Sequence, residues 1–119
     1  MHQSLPKTID YIEMPSSDIA GTKEFFTAVF GWSFEDYGPD YAAFDDGRMT
    51  GGFFSTEETW ADTTSFPLVV FYSAQLEQTL TDVARARGVI TKPVFEFPGG
   101  RRFHFSAPGT GEFAVWSDK

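Results

Sequence analysis

Cysteine is absent from the sequence, and histidine is scarce. The lack of cysteine excludes disulfide bonds, thiolate zinc sites and a cysteine nucleophile. Of the two histidines, His2 lies at the N-terminus and only His104 lies within the chain. An iron site of two histidines and a carboxylate therefore lacks its ligands, as does a histidine-rich zinc site. An all-oxygen magnesium or calcium site stays open on composition, because carboxylates are plentiful.

Positive charge is also scarce, since nine Lys and Arg stand against 17 Asp and Glu, for a net charge of −8. Nucleic acids and anionic membranes are bound by clustered basic residues, so we expect neither as a partner. No apolar run has the length of a membrane span or of a signal peptide. We therefore expect a cytoplasmic protein whose acidity favours solubility.

Aromatic residues, by contrast, make up 18% of the chain, and 14 of the 119 residues are phenylalanine. This apolar surface is sufficient to offset the entropy lost on folding, which excludes intrinsic disorder. The length fits one domain over residues 1–119 with a single core.

The first half of the sequence predicts a strand, a helix and three further strands. Thr8 to Met14 alternates as a strand does, and Asp18 is a suitable N-cap for a helix over Ile19–Phe30 that ends at Gly31. The three strands that follow are Trp32–Tyr37, Tyr41–Phe44 and Met49–Phe54. The pair Gly51-Gly52 predicts either a bulge or the close approach of another backbone or a ligand.

The second half predicts the same order of elements after a polar linker, Thr56–Ser65, that carries Trp60. A strand over Pro67–Tyr72 precedes a helix that begins at Ser73 or Ala74 and ends at Arg87, before Gly88. The three strands that follow are Val89–Phe97, Arg101–Ser106 and Glu112–Trp116. Pro93 predicts that the first of these is a kinked strand or an edge strand.

The two halves align at a constant offset of 57 residues, which separates Gly31 from Gly88 and Asp18 from Gln75. A duplicated βαβββ unit is the simplest explanation. We therefore predict an α+β fold of two tandem modules, one over about residues 7–55 and one over about residues 66–118.

Four segments recur in a known order and spacing: Glu13-Met14-Pro15-Ser16-Ser17-Asp18, Phe25-Phe26, Val29-Phe30-Gly31-Trp32 and Pro108 to Trp116. Together they resemble the glyoxalase/bleomycin resistance/dioxygenase (vicinal oxygen chelate) superfamily. The sequence departs from the family pattern at Ala107, where an aspartate is usual, and at Glu112, where an asparagine is usual. The resemblance implies that each module curls into an incomplete barrel, that the modules enclose a concave cleft, and that the chain forms a homodimer in which modules can be exchanged.

The resemblance also implies where a divalent metal would be held in the family's enzymes. Those positions correspond here to Tyr11, Leu68, Val115 and the stretch from Thr50 to Gly52. Leucine, valine and glycine have no side-chain lone pairs, and one tyrosine does not hold a cation alone. We therefore expect no metal ion and no cofactor.

Two polar pairs are candidates for ligand contact. Tyr11 and Glu13 share one face of the first strand, where Glu13 is a candidate general acid or base. The alternatives for Glu13 are an ion pair with Arg102 or Arg48, a backbone donor or a subunit interface. His104, which shares a face with Arg102, is a candidate for anion binding or proton transfer, the alternative being a hydrogen-bonded surface histidine.

The ligand-binding set predicted from the sequence is Tyr11, Glu13, Phe53, Leu68, Arg102, His104 and Val115. For Phe53, beside Gly51-Gly52, part of a cleft wall and a structural bulge are equal alternatives. The function expected from this set is metal-independent binding of a small organic molecule by aromatic stacking. Two alternatives remain: a glyoxalase-type or dioxygenase-type lyase or oxidoreductase with relocated metal ligands, and an interaction module without a ligand.

Overall fold

The computed structural model describes residues 4–57 and 67–119, so most of the predicted linker, including Trp60, lies outside the described residues. The elements are β1 (Tyr11–Ser16), α1 (Ile19–Phe30), β2 (Ser33–Asp36), β3 (Tyr41–Asp45), β4 (Thr50–Ser55), β5 (Val69–Tyr72), α2 (Leu76–Arg85), β6 (Val89–Phe97), β7 (Gly100–Ser106) and β8 (Glu112–Ser117). Their order confirms the predicted α+β fold. No helix within the described ranges is long and apolar enough to cross a membrane.

Each half of the chain forms its own four-stranded mixed sheet. The strand order is β1-β4-β3-β2 in the first sheet and β5-β8-β7-β6 in the second. In both sheets the first and last strands of the unit run parallel, and the other neighbours run antiparallel. Neither sheet closes on itself, as expected of an incomplete barrel.

The two helix starts repeat one hydrogen-bonding arrangement at the predicted offset of 57 residues. Asp18 and Gln75 are the N-caps of α1 and α2. The backbone N–H of each cap donates to a serine hydroxyl two residues earlier, over 3.0 Å. That serine bonds a helix threonine, as Ser16–Thr22 at 2.8 Å and as Ser73–Thr79 at 2.7 Å. The duplication is therefore visible in specific polar contacts as well as in element order.

The two helix ends differ, and here one prediction was wrong. Gly31 takes the predicted left-handed conformation, with φ of 70°. In the second module Arg87 adopts the positive φ, at 74°, and α2 ends at Arg85. Gly88 is close to its neighbours instead, because a Cβ there would lie 2.6 Å from Val83 Cγ1 and 2.9 Å from Phe25 Cε1.

The strand β6 lies at the edge of its sheet, as Pro93 predicted. Its pairing with β7 shifts register between Ile90 and Lys92 and again between Lys92 and Phe95. Proline has no backbone N–H to donate, so an irregular edge strand accommodates it without loss of a central ladder bond.

One shared core lies between the two sheets, and Phe26 of α1 is at its centre. The Phe26 ring is wholly buried and lies 5.6 Å from that of Phe53 on β4, 5.4 Å from that of Phe113 on β8 and 6.2 Å from that of Phe71 on β5. Because side chains alternate along a strand, the other side of each sheet faces away from this core. The two outward faces therefore point away from each other within one chain.

Each outward face is defined by rows of paired residues. Face one comprises Tyr11, Glu13, Ser33, Glu35, Tyr41, Ala43, Asp45, Thr50, Gly52 and Phe54. Face two comprises Val70, Tyr72, Lys92, Phe95, Arg102, His104, Ser106, Glu112, Ala114 and Trp116.

Candidate functional site

A chain of three polar side chains crosses face one. The hydroxyl groups of Tyr11 and Tyr41 are 2.5 Å apart, and the Tyr41 hydroxyl donates to Glu13 Oε2 over 2.8 Å. Burial, together with the hydrogen bonds to Tyr11 and Glu13, raises the pKa of Tyr41. Tyr41 therefore stays protonated at physiological pH and acts as a hydrogen-bond donor.

Gly52 makes room for this polar chain. A Cβ at Gly52 would overlap the Tyr41 hydroxyl and lie 2.8 Å from that of Tyr11. The strand β4 pairs in regular register with both neighbours, so the glycine pair forms no bulge. Of the two predicted reasons for Gly51-Gly52, close approach is the one confirmed.

A groove of about 770 Å³ is open to solvent along face one. Aromatic and acidic side chains line it, among them Tyr11, Phe34, Glu35, Tyr37, Phe44 and Asp45. A hydrogen bond to Glu35, together with its negative charge, raises the pKa of Tyr37. The groove therefore combines tyrosine rings with carboxylates, and the Tyr37 phenol stays protonated at physiological pH.

Face two carries a histidine–carboxylate pair. His104 is 4% exposed, and its Nδ1 lies 3.1 Å from Glu112 Oε2. The same carboxylate oxygen accepts a hydrogen bond from the Thr91 hydroxyl over 2.9 Å. Burial lowers the pKa of His104, opposed by Glu112 and reinforced by the positive charges of Arg102 and Lys92.

Arg102 lies next to this pair and packs on aromatic rings. Its guanidinium carbon is 5.5 Å from the ring centre of Phe95 and 5.8 Å from that of Phe97. The Phe95 ring is also 5.7 Å from that of His104. Two buried nitrogens on this face, Arg102 Nε and His104 Nε2, have no hydrogen-bond partner among the residues that the structure describes.

The structure brings the predicted site residues together in two separate groups. Tyr11 and Glu13 lie together on face one, and Arg102 and His104 lie together on face two. Leu68 is exposed immediately before β5, on the side of the second sheet. Because the two faces point apart, no single chain joins the groups into one cleft.

Phe53 and Val115 lie elsewhere than the sequence suggested. Both are wholly buried in the shared core and contribute no surface to either face. On β8 the side chain that shares face two with His104 belongs to Ala114, one position before Val115. The resemblance had placed the register of this strand one residue too late.

The metal ion implied by the resemblance does not fit these residues. The Tyr11 hydroxyl is bonded to Tyr41, while Leu68 and Ala114 have no side-chain donor atoms. Over residues 4–57 and 67–119, no group of three or more His, Cys, Asp or Glu side chains is arranged to hold a metal ion.

Two partners were missed from the sequence, Glu112 for His104 and Tyr41 for Glu13. The sequence could have predicted Glu112 as a partner, because Ser106 pairs with Glu112 across the short loop between β7 and β8. Counting register outward from that loop places Glu112 diagonally opposite His104. The sequence could not have predicted Tyr41 as a partner, since its contact with Glu13 requires both the order β1-β4-β3 and the space above Gly52. The predicted partners Arg102 and Arg48 do not bond Glu13; Tyr41 does.

Comparisons with solved structures reveal a shared fold at low sequence identity. The fosfomycin resistance protein FosX from Listeria monocytogenes superposes with a TM-score of 0.79 at 13% identity, over 97% of this chain and 96% of that one. A glyoxalase/bleomycin resistance protein/dioxygenase family enzyme from Burkholderia phytofirmans PsJN gives 0.77 at 16% identity, over 93% and 100%. Lactoylglutathione lyase from Agrobacterium tumefaciens gives 0.70 at 18% identity, over 96% of both chains.

Sequence comparison is informative at the level of the family. No curated protein matches the chain. The family model described as Glyoxalase/Bleomycin resistance protein/Dioxygenase superfamily matches residues 8–114. With the two βαβββ units, this match shows that the chain belongs to the Glyoxalase/Bleomycin resistance protein/Dioxygenase superfamily.

Proposed function

We propose that this chain is a metal-independent binding protein for a small organic molecule with an aromatic or conjugated body. The groove on face one carries the proposal, because about 770 Å³ lies within the range of roughly 300–1,000 Å³ typical of ligand pockets. The exposed rings of Tyr11 and Tyr37 offer stacking surface, while Glu35 and Asp45 offer polar contacts that orient a ligand.

The donor chemistry of the strand positions supports metal independence. A divalent cation needs several lone pairs converging on one point, and carboxylate, imidazole and thiolate groups are its usual ligands in proteins. At the corresponding positions this chain has a phenol that is already hydrogen-bonded and two aliphatic side chains. An enzyme with relocated metal ligands therefore has no cluster to support it within the described residues.

We also propose that the chain forms a homodimer in which face two of one copy covers face one of the other. Face one carries the carboxylates of Glu13, Glu35 and Asp45. Face two carries two cations, Arg102 and Lys92, and one carboxylate, Glu112, which is already bonded to His104 and Thr91. The charges are therefore complementary between copies. Val70 and Tyr72 on face two are 41% and 50% exposed, so apolar surface is available for burial. The negative net charge disfavours nucleic acids and anionic membranes as partners.

Binding is tested by thermal unfolding in the presence of a panel of aromatic and heteroaromatic compounds. A compound at 100 times its Kd stabilises the folded state by about 2.7 kcal/mol, which we expect as a higher Tm that is unchanged by a chelator. Ala43→Trp fills the groove and is expected to abolish the shift, whereas Ala28→Trp on the exposed side of α1 is expected to retain it.

Two outcomes of this experiment count against the proposal. A panel that leaves Tm unchanged argues against small-molecule binding and favours an interaction module. Stoichiometric metal in the purified protein, with a shift that disappears on chelation, favours the metal-dependent enzyme.

The dimer is tested by sedimentation with Val70→Glu. This change places a carboxylate of face two opposite the carboxylates of face one, and we expect the dimer to dissociate at least tenfold more readily. Thr27→Glu on the exposed side of α1 adds the same charge elsewhere and is expected to leave the dimer intact. A monomeric wild-type chain, or equal sedimentation of both variants, contradicts this arrangement.

A further inference from the structure

The two unpartnered nitrogens on face two are unusual for buried polar atoms. The large majority of buried side-chain polar atoms in proteins have a hydrogen-bond partner, since an unmade bond costs the full desolvation of the group. His104 Nε2 and Arg102 Nε both lack one within the described part of the chain, and they come from residues two apart on the same face of β7. Both residues also pack on the ring of Phe95. Two unpartnered nitrogens on the same strand face, beside the same ring, are candidates for contact with a ligand.

Glu112 determines which nitrogen of His104 carries the proton. A carboxylate accepts hydrogen bonds, so Nδ1 must donate to Glu112 Oε2. The Thr91 hydroxyl holds that oxygen in place from β6. In the neutral imidazole, Nε2 is then left with a lone pair that accepts no hydrogen bond from residues 4–57 and 67–119. Burial keeps the pKa of His104 below its usual value, which favours this neutral form at neutral pH.

Arg102 supplies the complementary group. Its guanidinium is a permanent cation with its donors in one plane, and here that plane lies over two aromatic rings. The Nε–H has no acceptor within the described residues. An acceptor oxygen of a ligand beside His104 would therefore bond a donor that is already desolvated and positioned.

We propose that face two binds a weakly acidic hydroxyl on an aromatic or conjugated body, a phenol or an enol, between His104 and Arg102. The ligand O–H donates to His104 Nε2, and the same oxygen accepts from Arg102. Where the proton transfers, it moves from the ligand oxygen to Nε2. The imidazolium so formed is stabilised by Glu112, and the oxyanion is stabilised by Arg102. This ligand class rests on the proposed function, because it specifies which small molecules bind.

The charges around His104 favour this arrangement. Glu112 on β8 stabilises the imidazolium, while Arg102 on β7 and Lys92 on β6 disfavour it when no anion is present. Binding of an oxyanion beside Arg102 removes part of that repulsion. We therefore expect the pKa of His104 to rise when the ligand binds.

The probes for this site are 4-nitrophenol and 4-nitroanisole, which differ only in the methyl group that replaces the acidic proton. The wild-type chain is expected to bind 4-nitrophenol about tenfold more tightly than 4-nitroanisole, as one hydrogen bond to a poised partner contributes about 1.4 kcal/mol. The bound phenol is expected to absorb as phenolate below the pH at which the free phenol ionises. His2→Gln, which removes the other histidine, is expected to behave as wild type.

Two variants distinguish the roles of the pair. His104→Asn keeps a donor for Glu112 but removes Nε2, and it is expected to lose the tenfold preference while binding 4-nitroanisole unchanged. Glu112→Gln is expected to lose the phenolate spectrum, because the amide no longer stabilises an imidazolium. Nitrogen NMR of the free wild-type chain gives an independent reading that needs no variant to fold, and we expect the Nδ1–H form of His104.

Equal binding of both probes by the wild-type chain, failure of both to bind, or an Nε2–H form in the free protein overturns the proposal. Binding of other panel compounds that is lost in Ala43→Trp would still support the proposed function, so the failure of this proposal and the failure of the proposed function are distinguishable. A preference for 4-nitrophenol that survives in His104→Asn likewise contradicts the assignment to this histidine, and leaves small-molecule binding itself intact.

Discussion

Replacing Phe26 by alanine is expected to lower the free energy of unfolding by about 3–5 kcal/mol, the range measured for buried aromatic residues. The ring is wholly buried and stacks on that of Trp32 with 4.4 Å between centres. It also contacts Phe53 of the first sheet and Phe113 of the second. Its removal therefore leaves a cavity where helix and both sheets meet, and none of the three can close it alone.

The expected loss is a large share of the free energy of unfolding of a typical domain, which is about 5–15 kcal/mol. Urea unfolding followed by circular dichroism measures it. Phe54→Ala is the matched control. Phe54 follows Phe53, the β4 residue that contacts Phe26, but it is 37% exposed on face one. The control is expected to cost about 1 kcal/mol or less. Equal losses in the two variants would show that Phe26 does not join the sheets.

Replacing Gly51 by alanine is expected to cost about 3 kcal/mol or more, whereas the same change at Gly52 is expected to cost about 1 kcal/mol. A Cβ at Gly51 would overlap the backbone oxygen of Ile12 and the Phe44 ring, so β1 and β4 would have to separate. A Cβ at Gly52 meets the ends of Tyr41 and Tyr11, which are side chains that can turn aside.

Two adjacent glycines thus have different tasks, and two measurements separate them. Urea unfolding is expected to rank Gly51→Ala as the more damaging change. Loss of the hydrogen bond between the Tyr41 hydroxyl and Glu13, seen as a shifted Tyr41 resonance, is expected in Gly52→Ala, since this change displaces the Tyr41 side chain directly. If Gly52→Ala proved the more destabilising variant, the assignment of the close backbone approach to Gly51 would be wrong.

Local signals in the sequence predicted most of the elements correctly. Asp18 and Gly31 bracket α1 because a carboxylate caps free N–H groups and glycine adopts positive φ without strain. Pro93 predicted an edge strand because it lacks a donor. The same reasoning failed at Gly88, where glycine is needed for contact with Val83 and Phe25 rather than for its backbone angle. A glycine after a helix has more than one use, and only packing distinguishes them.

Prediction of the candidate site depended more on contacts between residues that are far apart in the sequence. Tyr11 and Glu13 share a face because strands alternate, and that needs no tertiary structure. Val115 was placed on the cleft side, yet a one-residue slip in register transfers a side chain to the opposite face, and the core receives Val115 while Ala114 faces outward. The resemblance supplied the strand but could not supply the phase of its alternation.

The sequence by itself determined the order of two βαβββ units, the lack of thiolate chemistry and the family to which the chain belongs. The first two follow from composition, periodicity and capping residues, which act within a few positions of the chain, and the family follows from the resemblance of several segments to its pattern. Only the tertiary structure decided that Glu112 holds His104, that Tyr41 holds Glu13 and that the two faces point apart. Such contacts depend on strand order, register and the space above a glycine, and each of these is established only when the shared core packs.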